Sequence, residues 1–199
     1  MTSSTSAGAN TGRESGPRLA IIEAASELFA RYGIEGASMR QIADASGMSM
    51  GTINHHFGNK HGLVMAALEE SYRLREWWWR LEEASVSDRL AKLAETYLID
   101  TPRLETWWRF WMEYVAHAGR DPELQRHYRE RYRRRFDWHC RLLREGVAAG
   151  EFRQDLDVER TVDELLALCD GIAVSQLAGG LSLEVSRAII AERLGALRG

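Results

Sequence analysis

Cysteine and proline are scarce: the 199 residues hold two of the first and three of the second. Cys140 and Cys169 lie far apart, so no disulfide framework and no close-paired thiol clamp for a metal is expected, and reduced thiols fit a cytoplasmic chain. Long apolar runs are missing too, which excludes a segment able to span a bilayer. The Ser/Thr/Gly/Ala-rich start has no apolar stretch and is not expected to be a signal peptide. Charge of one sign is also lacking, with a formal net charge of −3. In residues 1–62, Arg13, Arg18, Arg31, Arg40 and Lys60 face an equal number of carboxylates, Glu14, Glu23, Glu27, Glu35 and Asp44. Any polyanion bound there must be held by placement of a few groups rather than by bulk positive charge.

What is present is helical grammar. Residues 1–16 read as an unstructured tail. Leu19, Ile22, Ala25, Phe29 and Tyr32 then recur at three- and four-residue steps, one apolar face of a helix that Gly33 should stop. Ser38 and Gln41 form a capping-box pattern, and Ser49 and Asn59 can cap two further helices, the second running to about Leu81. Ser85 or Ser87, Thr101-Pro102, Asp121-Pro122, Asp157 and Ser182 repeat the same start signals. No alternating strand pattern stands out, so the expectation is an all-α fold of nine helices.

The informative stretch is QIADASGMSMGTINHHF, residues 41–57. Gly47 suits a left-handed corner between two short helices, and Ile42, Ala45, Met48 and Ile53 are expected to lock it from inside. Met50, Thr52, Asn54, His55 and His56 are then available on the second helix. Short polar groups near a helix N-terminus can reach base edges and phosphates in a major groove. A ligand-free helical corner is the alternative.

Residues 18–68, RLAIIEAASELFARYGIEGASMRQIADASGMSMGTINHHFGNKHGLVMAAL, carry AA-x-x-LF-A-x-x-G, then SMRQIA-x-A-x-G-x-S, then F-x-x-K. Over that length the chain resembles the DNA-binding domain of the TetR family of transcriptional regulators. The resemblance implies a helix-turn-helix domain over 17–62, a ligand-binding and dimerisation domain over 63–199, and a recognition helix over 50–57. It places Ser38, Arg40, Ser49, Thr52, His56 and Lys60 where family members commonly meet phosphates or bases, and Phe57 where they have a buried aromatic plug. Two features depart from the family pattern. Met50 stands where a cation is common, and Asn54 and His56 stand where tyrosine is common. Losing a cation should flatten the salt dependence of binding, which scales with the phosphates neutralised. Imidazole charge changes near neutral pH, so His55 and His56 either supply cations in mild acid or stay neutral and donate hydrogen bonds.

The second half resembles the BetI-type branch through WRFWMEYVAHAGRDPELQRHYRERYRRRFDWHCRLLREGVAAGEFRQDLD and LLALCDGIAVSQL. Leu165, Leu166, Cys169, Ile172, Ala173 and Leu177, then Val185, Ile189 and Leu194, follow helical spacing and suit a four-helix homodimer interface. Seven tryptophans are many for this length. Trp78, Trp107 and Trp111 with Tyr114 offer ring faces, and Glu113 and Asp170 offer carboxylates, for a cationic effector. The alternatives are a flat aromatic ligand stacked on indoles, or rings that only fill the core. Eight arginines lie between Arg126 and Arg144 and read as a solvated, ion-paired face. No metal-ligand spacing, nucleophilic triad or phosphate-cradling glycine loop stands out, so no cofactor, metal or catalysis is expected. The expected partners are a palindromic operator in double-stranded DNA, a small-molecule effector and a second copy, with no membrane. The rival reading is a helical small-molecule-binding protein whose DNA module is vestigial.

Overall fold

A computed structural model describes residues 11–75 and 85–198, with side chains absent from the description at 11–15 and 73–75. The described residues form helices and connecting turns only: α1 (Thr11–Gly36), α2 (Met39–Ser46), α3 (Met50–Phe57), α4 (Lys60–Arg75), α5 (Val86–Glu95), α6 (Pro102–Ala118), α7 (Pro122–Ala148), α8 (Val158–Leu177) and α9 (Leu183–Gly195). The expected all-α architecture is therefore the observed one. None of these helices is long and apolar enough to cross a membrane. The chain divides into two compact units, 1–74 and 75–199, so all of α4 but its last residue belongs to the first unit.

The start signals work as sequence chemistry requires. Ser38, Ser49, Ser85, Thr101, Asp121, Asp157 and Ser182 each accept a hydrogen bond from a first-turn N–H of the helix they precede. These bonds satisfy donors that helix geometry leaves without a carbonyl. Asn59 does the same for α4, accepting from the Gly62 N–H at 2.9 Å. The first helix begins earlier than Pro17 suggested, at Thr11 inside the expected tail. Proline costs that helix one backbone bond, but its fixed φ is already helical. Helical geometry breaks at Gly33, whose φ is 76°.

In the first unit, α1 packs on α2 and α3. Ile21, Ile22, Ala25 and Phe29 are buried, as are Ile42, Ala43 and Ile53. Two details differ from the expected faces. Tyr32 is exposed, its ring lying 5.1 Å from the Arg31 guanidinium, and Ile21 takes the inward place. Ala45 is exposed and Ala43 buried, because the inward stripe of α2 runs through 39, 42, 43 and 46.

In the second unit, α7 and α8 form the centre, with α5, α6 and α9 packed on them. Leu142, Leu143, Val162, Leu165, Leu166 and Phe152 make one core cluster; Ala94, Leu98, Ile172 and Ile190 make another. Most of the α8 residues expected at a homodimer interface are thus spent inside the protomer. Val174 and Val185 remain 36% and 46% exposed.

Gly62 sets the first unit's geometry most tightly. A Cβ built there would sit 2.1 Å from the Phe57 carbonyl oxygen, a backbone atom that cannot swing away. The first turn of α4 therefore touches the last turn of α3 only because residue 62 lacks a side chain. Gly62→Ala should lower stability by about 1–3 kcal/mol, the usual range for overpacking. Chemical denaturation measures it, and an unchanged midpoint would show that the close approach is not required.

Candidate nucleic-acid interface and effector residues

The corner between α2 and α3 is built from three short-range devices. Ser38 and Gln41 close a full capping box, with the Gln41 N–H to Ser38 Oγ at 3.2 Å and the Ser38 N–H to Gln41 Oε1 at 2.8 Å. Gly47 adopts φ 68° and ψ 19°, and the next N–H, from Met48, reaches the Ala43 carbonyl at 3.1 Å. Ser49 restarts the chain, accepting from the Thr52 N–H at 3.0 Å and sharing a hydroxyl bond with Thr52 Oγ1 at 2.9 Å. Ile53, fully buried, pins the second helix by its inner side.

That pinning decides what α3 shows to solvent. Met50, Gly51, Asn54 and His55 are exposed and share one face, and Met50 is 40% exposed. Thr52 and His56 are half-buried on the flank. His56 lies between neighbours, its ring centroid 5.4 Å from His55 and 5.9 Å from Phe57. Phe57 is half-buried with the Arg18 guanidinium 5.7 Å from its ring, a more open setting than the expected plug. Ser38 and Arg40 are exposed at the start of α2. Lys60 donates to the Glu35 carbonyl at 3.0 Å, a bond it must surrender or share to meet a phosphate. Spacing alone did not separate the outward pair 54 and 55 from the flanking pair 52 and 56; the burial of Ile53 does.

Gly51 was overlooked in the sequence pattern. A Cβ there would meet only Ser49 Oγ, at 3.6 Å, so nothing within the fold demands glycine. Its presence on the exposed face leaves the helix backbone open to close approach.

The effector candidates in the second unit fall into an aromatic network. Trp107 and Trp111 stack with centroids 6.3 Å apart, and Trp108 meets both edge-on at 4.7 and 5.0 Å. Trp108 is fully buried and donates its indole N–H to the Thr96 carbonyl at 3.2 Å. Tyr114, also fully buried, shares its hydroxyl with His127 Nδ1 at 2.8 Å. Glu113 is half-buried. Trp78 lies outside the described residues. Asp170 is not an open carboxylate: Arg135 from α7 grips both its oxygens, at 2.9 and 3.2 Å.

Arg135 and His139 were missed because the arginine-rich run of α7 looks like a solvated face. The signal was present: 128, 132, 135 and 139 step by four, three and four, one continuous inward stripe. His139 is buried, donates its Nδ1–H to the Arg135 carbonyl at 2.6 Å, and has its pKa pushed down to about 4 by burial. It lines, with Tyr97 and Cys169, a small cavity of about 20 Å³ between α5, α7, α8 and α9, room for roughly one water. Burial pushes the Cys169 thiol up to about 12, so it is an inert wall. No group of side chains suited to a metal ion occurs among the described residues.

A two-helix corner presenting an exposed helix face, followed by a helical second unit, fits a DNA-binding transcriptional regulator of the helix-turn-helix class. Residues 21–67 match the family described as bacterial regulatory proteins, tetR family, and residues 86–199 match that of the BetI-type transcriptional repressor, C-terminal. The HTH-type transcriptional repressor AcnR of Corynebacterium efficiens is 30% identical over 84% of this chain and 85% of its own. The HTH-type transcriptional regulator BetI of Escherichia coli (strain K12) is 28% identical over 89% of this chain and 90% of its own. A transcriptional regulator from Saccharomonospora viridis, solved in complex with choline, superposes with a TM-score of 0.82 at 28% identity, covering 91% of this chain and 96% of that one. The chain belongs to the tetR family of bacterial regulatory proteins, with a C-terminal unit of the BetI type.

His139 yields a pH prediction. Its folded value of about 4 lies below the ordinary 6.5, so the unfolded chain binds the proton more readily between the two. Stability is full above pH 6.5, falls as pH drops toward 4, and loses roughly 3 kcal/mol from this group. Denaturant melts of the parent and His139→Gln across that window should show the slope shrinking in the variant.

Proposed function

We propose that the chain is a cytoplasmic homodimeric repressor that holds a palindromic operator through α3 and releases it when a cationic small molecule occupies the second unit. The single observation carrying the DNA assignment is the pinned α3, whose outward face of Met50, Gly51, Asn54 and His55 is not consumed by the fold. Polar edges of Asn54 and His55 suit base contacts, and the Ser38, Arg40, Ser49, Thr52, His56 and Lys60 group suits phosphates. Val174 and Val185, exposed on α8 and α9, suit a second copy, and two recognition helices about 34–36 Å apart would read half-sites one turn apart.

The effector class is inferred from ring faces. Indoles and phenols attract a cation by their quadrupole, and the choline-bound regulator shares both fold and 28% of its sequence with this chain. Release would be a shift between two arrangements, driven by the effector's differential affinity for them. A vestigial DNA module is the competing reading, favoured by Met50 in place of a cation. A salt titration against a selected duplex separates the two: repressor action requires a specific complex whose affinity falls with salt.

Two expected outcomes follow for α3. Gly51→Ala should leave the melting temperature unchanged or raised, since alanine favours helices by up to about 1 kcal/mol. The added methyl should nevertheless weaken operator binding by about tenfold, roughly 1.4 kcal/mol. Asn54→Ala should cost about 1–3 kcal/mol of specific binding and leave non-specific binding alone. Thr52→Ala and His56→Ala test the flank in the same assay. Fluorescence anisotropy on specific and scrambled duplexes measures all four, and parent-like affinity throughout would remove α3 from the interface.

A further inference from the structure

The contacts around Arg135 are those a bound cation would need. Its guanidinium holds Asp170 through two nitrogens, at 2.9 and 3.2 Å. It lies 5.5 Å from the centre of the Tyr132 ring and donates to the Tyr97 hydroxyl at 3.5 Å. Tyr97 in turn lies 5.6 Å from Trp108, and Tyr132 stacks on Tyr128 at 6.3 Å, which meets Tyr114 at 6.1 Å. Arg135 therefore touches both branches of the aromatic network and its carboxylate at once. The pair is partly open, with side chains 24% and 20% exposed, so it can exchange partners without unfolding the helices.

We propose that Arg135 is a resident cation that competes with the effector for Asp170 and the surrounding rings, and so sets both the affinity and the charge class of ligand admitted. This rests on the cationic-effector reading above. A cation that reaches Asp170 must displace a bidentate guanidinium, the strongest geometry available to a carboxylate. A ligand with only a weak positive dipole does not displace it. Because Arg135 stands on α7 and Asp170 on α8, displacement also breaks a charged link between those helices and leaves the more exposed Arg144–Glu159 pair in place.

The experiment is calorimetric titration of choline chloride into the full chain and into Arg135→Gln, Arg135→Lys and the double variant Arg135→Gln/Asp170→Asn, with circular dichroism to verify folding. Removing the competitor should tighten choline binding about tenfold in Arg135→Gln, given the cost of leaving Asp170 without a partner. Lysine keeps the charge but loses the fork, so Arg135→Lys should gain less, and it carries the test if the glutamine variant does not fold. The double variant should lose the gain. Choline binding that is equal or weaker in the folded single variants, with the parent still binding, overturns the competitor role and leaves the cationic effector standing. No choline binding by parent or variants overturns the cationic reading and the competitor role with it.

Discussion

The left-handed turn at Gly47, braced by the serine caps on either side, is the constraint on which the first unit's function depends. Ser38 and Ser49 each accept a first-turn N–H, and the Gly47 N–H returns to the last turn of α2, which braces two eight-residue helices that could not persist alone in water. Burial of Ile53 then leaves a single rotational setting for α3. Gly62 closes the arrangement from the other end by letting α4 approach the Phe57 carbonyl. Backbone geometry, rather than a surplus of positive charge, is what makes a near-neutral segment able to address DNA.

The second unit answers a different physical problem. Between its helices lie a part-buried arginine, a buried histidine and several phenol hydroxyls, which burial penalises unless they are partnered. The fold answers with pairs across helices: Arg135 with Asp170, Tyr132 with Asp163, Tyr114 with His127. One apolar cluster joins α7 to α8 through Leu142, Leu143, Val162, Leu165 and Leu166, so the polar stripe is not required for cohesion. A polar stripe retained under those conditions is better placed to discriminate among ligands than to stabilise the protomer.

Helix starts were legible from sequence because each depends on one side chain and a neighbouring N–H, as at Thr101, Asp157 and Ser182. The corner was legible for the same reason. Facing was less so: Tyr32 and Ala45 satisfy helical spacing but point outward, since a 3.6-residue period tolerates two adjacent stripes and only tertiary packing chooses between them. Asp170 was visible as a carboxylate among apolar residues, yet its partner was hidden 35 positions away in a run of arginines. Pairings across helices depend on how α7 lies on α8, which no local pattern encodes.

In the proposed function, paired copies present α3 to neighbouring major grooves. Selecting bound duplexes from a random pool with the full chain tests it most directly. The expected result is an inverted repeat whose half-site centres lie about 10 base pairs apart, or a multiple of that turn. Enrichment of a single unpaired site, or none above background, would contradict it.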